Sequence, residues 1–186
     1  MPSRRDVFLN GKIYHVFDKT IDHRNIFADP KLGRLFLDLF RYYRSNKAIV
    51  RYSHFLRMPG DLHREVEKQI KIRKYFKIEI LNYNLMPNHF HLVLKQMREK
   101  GIVRFVSDCL NSLTRFYNIL NERKGPIFLP QFRSRQIITE EQFKHLMRYV
   151  DLNPYSSQII KNLANLEKNE FSSFKEYLRS AVASLR

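Results

Sequence analysis

The stretch NYNLMPNHFHLVLK, residues 82–95, carries His89 and His91 one residue apart inside an apolar run. Side chains on a strand return to the same face every second residue, so in an extended segment both imidazoles point one way. Two same-facing imidazoles make half of a metal site or a polar pair at a sheet edge. Further on, QFKHLMRYVDLNP (142–154) sets His145, Tyr149 and Asn153 four residues apart, one above another on a single helix face. Two neutral imidazoles and one amide oxygen suit Mg²⁺ or Mn²⁺, with the remaining positions open to water or phosphate oxygens. Zinc prefers more nitrogen or sulfur ligands. An ion held in that way polarises a phosphodiester, and a tyrosine hydroxyl can attack its phosphorus to give a covalent intermediate.

These residues act together only if the elements that carry them meet. Residues 77–86 and 89–95 read as two strands around the turn Pro87-Asn88, a hairpin. An earlier strand is expected at 12–20, with Ile13 and Val16 near the core. An amphipathic helix follows at 29–47, because Leu32, Leu35, Phe36, Leu39 and Phe40 recur at helical spacing. A long helix at 101–125 is stopped by Gly125-Pro126, and a short strand follows at 132–138. Thr139 caps the last helix, with Gln142 completing a capping box and Phe143, Leu146, Met147 and Val150 as its buried stripe. That helix is expected to end near Asn153-Pro154, because a residue before proline avoids helical geometry. A basic insertion at about 48–75 includes a charged helix at 60–76 with Leu62, Val66 and Ile70 on one face.

Without the insertion the order is βαββαβ plus a helix. The expected fold is therefore α+β: a ferredoxin-like antiparallel sheet with helices on one face, followed by a C-terminal helix carrying Tyr149 and a tail at about 155–186. At 186 residues, 44% of them hydrophobic with 15 Phe and 10 Tyr, the chain has the material for one domain spanning 1–186. Cys109 is the single cysteine, which excludes an internal disulfide or a cysteine-cluster metal site. No apolar run approaches 18 residues, and the first dozen residues lack the apolar stretch of a signal peptide. A cytoplasmic, nucleoid-associated protein with no membrane partner is expected. A net charge of +16 predicts a polyanionic partner, nucleic acid first. Arg133 and Arg135 alternate on the strand before the Tyr149 helix and are placed to clamp phosphates. Arg4 and Arg5 and the run at 68–77 extend a sequence-independent phosphate track.

With these residues in view, the chain resembles the single-tyrosine HUH endonucleases. LMPNHFHLVL resembles their His-hydrophobic-His motif, and RYVDLNP the catalytic-helix motif of their transposase branch. IYHVFDKT, GPIFLPQFRSRQI and FSSFKEYL match that branch in the same order, so the resemblance runs from about residue 10 to about 180. It is closest to the IS200-like transposases associated with repetitive extragenic palindromes. The resemblance implies a metal-dependent endonuclease that cleaves and rejoins single-stranded DNA near hairpins. Tyr149 would form a 5′-phosphotyrosine link, and His89, His91 and Asn153 would ligate Mg²⁺ or Mn²⁺. Some relatives carry Gln at the position of Asn153. IS200-like transposases act as dimers and the palindrome-associated group need not, so a homodimer stays open.

Other readings compete. The same fold can serve as a catalytically inactive nucleic-acid-binding module, or as a metal-dependent nuclease that activates water. Tyr117 is the rival nucleophile, although Leu113, Phe116 and Leu120 beside it point to core packing. His15 and His54 read as structural or DNA-facing polar residues, and His145 as a solvated helix histidine.

Overall fold

The computed structural model describes residues 7–176 and 178; Arg4 and Arg5 lie outside them. Four strands form the sheet: β1 (Ile13–Lys19), β2 (Ile78–Met86), β3 (His89–Gln96) and β4 (Arg133–Ile137). Their order is β2-β3-β1-β4 with every pair antiparallel, the ferredoxin-like arrangement that the element order predicts.

Tyr14 and Val16 of β1 and Phe90, Leu92 and Leu94 of β3 point to one face. Two helices cover that face. In α1 (Pro30–Tyr43), Asp29 caps the start by accepting the Lys31 amide, and Pro30 occupies the first turn, where its missing N–H costs nothing. The helix buries Leu32, Phe36, Leu39 and Phe40. In the other, α4 (Gly101–Leu120), Ile102, Phe105, Val106 and Leu113 close the same core. A Cβ on Gly101 would run into the Lys77 carbonyl, so only glycine lets α4 start so near the sheet. Helix α4 ends five residues before Gly125. Glu122 takes a left-handed backbone (φ 48), and the Arg123 amide bonds the Asn118 carbonyl at 2.9 Å, which turns the chain back early.

The insertion folds as α2 (Tyr52–Phe55) and α3 (Gly60–Ile70). Phe55 and Ile70 anchor it to the α1 side of the core. Leu62, expected on the buried stripe, is 52% exposed, because α3 meets the core only along Val66 and Ile70.

The opposite face of the sheet carries α5 (Glu140–Ser156). Its capping box is formed: Thr139 accepts the Gln142 amide at 3.1 Å and the Gln142 side chain accepts the Thr139 amide at 3.4 Å. Leu146 and Val150 pack on Val93, flanked by Phe143 and Met147. The helix does not stop at Asn153; Pro154 lies inside it. Proline has no N–H for the carbonyl four residues back, that of Val150. Asn84 of β2 supplies the missing donor, its Nδ2 bonding the Val150 carbonyl at 2.9 Å. Two residues back along β2, Asn82 Nδ2 bonds the Asp151 carboxylate at 2.8 Å. Both asparagines face α5 because the β2–β3 register shifts between Ile80 and Asn82. A bulge there moves the following even-numbered side chains to the other face; Ile78 and Ile80 before it still point to the aromatic core.

After α5 the chain returns along the outer edge of β2. The Leu85 amide bonds the Phe171 carbonyl at 2.9 Å, and the Ser173 amide bonds the Tyr83 carbonyl at 3.1 Å, which covers that edge. No helix among the described residues is long and apolar enough to cross a membrane.

Candidate active site

The odd-numbered residues of β1 and β3 form the face beneath α5. Across β3, β1 and β4, His91 stands opposite Phe17, which stands opposite Arg133; on the neighbouring row His15 pairs with Arg135. Residues opposite one another in a sheet share a face. His89, His91, His15, Arg133 and Arg135 therefore occupy one surface, with both arginines exposed on the edge strand.

Helix α5 brings Tyr149 over this surface. Its ring lies edge-on to His91 with centroids 5.5 Å apart, and 6.2 Å from His15. Tyr149 is 46% exposed, so the residue is accessible to an incoming molecule. His89 and His91 are 5.1 Å apart, nearly perpendicular. Tyr117 sits in the α1/α4 core on the other side of the sheet, with the Arg123 guanidinium over its ring. His145 is exposed on the surface of α5.

Hydrogen bonds set the orientation of both β3 imidazoles. His89 Nδ1 lies 2.7 Å from Asn88 Oδ1. An amide oxygen only accepts, so His89 carries its proton on Nδ1 and its lone pair on Nε2. His91 Nδ1 lies 2.9 Å from His15 Nε2. When His91 donates in that pair, its own Nε2 likewise presents a lone pair. Burial lowers all three pKa values. His91 falls to about 3 through burial, then the nearby His15 and His89. His15 falls to about 4 through burial and the charge of Arg135. His89 shifts down through burial and Lys19. All three are neutral at physiological pH.

Asn153 lies one turn beyond Tyr149 and is 6% exposed. Its Oδ1 accepts from Ser157 at 3.2 Å, and among the described residues it makes no hydrogen bond to either β3 histidine. Among the described residues no three His, Cys, Asp or Glu side chains converge as a metal cluster.

Sequence reasoning set His15 aside, yet it is the residue bonded to His91. Its parity with Phe17 and the β1–β3 adjacency of the ferredoxin-like order were readable; the register that sets His15 diagonal to His91 was not.

No protein-family model matches the chain, and no curated protein matches it by sequence. Its architecture does match solved structures. A REP-associated tyrosine transposase bound to a REP hairpin aligns over 95% of this chain and 84% of its own, with a TM-score of 0.59 and 15% identity. The chain has the tyrosine-transposase fold. A Deinococcus radiodurans R1 protein assigned as a transposase also aligns, over 81% of this chain and 96% of its own, with a TM-score of 0.42 and 15% identity. The β3 histidines and the tyrosine helix lie on the face away from α1 and α4.

Proposed function

We propose that the protein is a metal-dependent transposase that cleaves and rejoins single-stranded DNA beside hairpins. The carrying observation is that an exposed tyrosine on α5 stands 5.5 Å from one of two same-facing, neutral histidines on β3. Tyr149 Oη attacks phosphorus, a P–O bond forms, and the bond from phosphorus to the 3′ oxygen breaks. Tyr149 gives up its hydroxyl proton and the departing 3′ oxygen takes one up, so one part of the strand leaves with a free 3′-hydroxyl and the other stays joined to Tyr149 through a 5′-phosphate.

The Nε2 atoms of His89 and His91 and the amide oxygen of Asn153 are the donors for Mg²⁺ or Mn²⁺; that oxygen would exchange its bond from Ser157 for the ion. The ion would draw charge from the phosphate oxygens. Support for the donor set comes from the hydrogen bonds at each Nδ1, since ligating histidines are oriented through their other ring nitrogen. His15 is then a positioning residue for His91. Arg133 and Arg135 hold backbone phosphates on the same face, and Arg4 and Arg5 extend the basic track. The solved transposase of this fold is bound to a REP hairpin, which makes a hairpin with a single-stranded flank the substrate to test.

Denaturing electrophoresis with 5′- and 3′-labelled hairpin strands and Mn²⁺ tests the reading. Wild type and Tyr117→Phe should shift with the DNA, and Tyr149→Phe should not. An adduct that survives Tyr149→Phe, or a wild type that forms none, would refute it.

A further inference from the structure

Beside His89 is a cavity of 360 Å³, within the range of about 300–1,000 Å³ that holds small ligands. We propose that it seats one unpaired base of the single strand crossing the site, a base with carbonyl oxygens on its edge. This rests on the single-strand reading above and deepens it.

Three chain segments are knit together to make the cavity. The Leu129 amide bonds the Lys19 carbonyl at 3.2 Å, and the Thr20 amide bonds the Asn88 carbonyl at 2.9 Å. The end of β1, the β2–β3 turn and the loop before β4 are thereby fixed around one space. Phe17 and Leu129 supply its apolar lining, and both are partly exposed. An aromatic ring and an aliphatic side chain favour the flat face of a base.

The polar lining includes the buried Asp18 carboxylate, which accepts the Lys19 amide, and His89, together with several donors. Lys19 and Arg133 both reach the cavity, and neither appears in an ion pair among the described residues. Asn88 commits its oxygen to His89, which leaves its amide N–H groups for a ligand. Donors of this kind match the carbonyl oxygens of guanine, thymine or cytosine; adenine has no carbonyl and offers only ring-nitrogen acceptors. His23, a further lining residue, follows Asp22 in a pair of left-handed non-glycine residues, φ 56 and 52. Backbone held in this sparsely populated region is a common feature of ligand clamps. The cavity borders His89 itself, so a base lodged there sets which phosphate faces Tyr149. It is thus a determinant of cleavage position.

The test is equilibrium binding of the metal-free full-length protein to a fluorescent hairpin with a single-stranded flank. A series of strands removes one base at a time as an abasic site. One flank position should weaken wild-type binding about tenfold, the scale of one stacked base. At that position Leu129→Ala and Arg133→Gln should each lose clearly less on base removal than wild type does. Thymine or guanine there should restore affinity, and adenine should not. Uniform tolerance of abasic sites, equal loss in wild type and both variants, or full rescue by adenine overturns the proposal. Competition by free thymidine or guanosine monophosphate as effective as the strand overturns it in favour of a nucleotide site. The assay involves no covalent step, so loss of the Tyr149 adduct and loss of base coupling are separate outcomes.

Discussion

On the α1/α4 face of the sheet, Tyr14, Val16, Phe90, Leu92 and Leu94 are buried against Phe36, Phe40 and Phe105. On the α5 face, alternate residues of the same strands are His15, Phe17, His89 and His91, with Val93 at the centre of a much smaller apolar cluster. The first face supplies most of the buried apolar area, which makes it the main source of stability. The second is held by a few polar ties from β2, and Tyr149 above it stays half in solvent. A sheet that is anchored on one side can leave reactive groups loosely covered on the other. The pleat is what allows adjacent residues of one strand, Phe90 and His91, to serve such different ends.

If this contrast is right, changes on the α5 face remove chemistry and spare the fold. The largest effect is expected from His91→Ala, and from Tyr149→Phe as above: adduct below detection on hairpin DNA, with thermal unfolding shifted only slightly. His91→Ala should leave most DNA affinity in place, since that comes chiefly from Lys and Arg contacts to phosphate. Full-rate cleavage with unchanged metal titration would refute the role of the histidines.

Next in size is Phe90→Ala on the opposite face. Removing a fully buried phenylalanine costs about 3–5 kcal/mol, readable by urea unfolding. The surviving folded fraction should still form adduct at low temperature. Retained stability would mean that the aromatic core is not the anchor.

Asn84→Ala probes the tie between the faces. It leaves the Val150 carbonyl buried without its donor, an expected loss of about 1–3 kcal/mol, along with slower adduct formation as α5 loosens at Pro154. Asn84→Asp should not rescue it, because an ionised carboxylate cannot donate.

Part of the response to acid should come from the α5 face. An unfolded imidazole takes up a proton below about pH 6.5, whereas folded His15 and His91 resist until about 4 and about 3. In between, the unfolded state binds more protons, so stability falls as pH drops. The slope is up to about 1.4 kcal/mol per pH unit for each group. His15→Gln should flatten that slope in acid denaturation; an unchanged slope would remove His15 from the buried pair.

The smallest effect belongs to Tyr117→Phe. It keeps the ring in the α1/α4 core and should change stability by no more than about 0.5 kcal/mol with the adduct intact.

Much of this arrangement was legible in the chain itself. Alternation in KIYHVFDKT and HFHLVLK put His89 and His91 on one face, since strand geometry repeats every two residues whatever lies nearby. The stripe of Leu146, Met147 and Val150 and the Thr139–Gln142 box marked α5, because both depend only on spacing within a turn or two. Such signals are local, and so they survive without knowledge of the partner. What only the tertiary structure decided is non-local. The register of β1 on β3, with Phe17 opposite His91 and His15 opposite Val93, made His15 a neighbour of His91 across 76 positions of sequence. The bulge after Ile80 turned Asn82 and Asn84 towards α5, and Asn84 then satisfied the carbonyl that Pro154 could not. A proline rule that holds for an isolated helix therefore failed here. A donor from another strand replaced the missing N–H, and Asn153 stayed helical one turn beyond Tyr149.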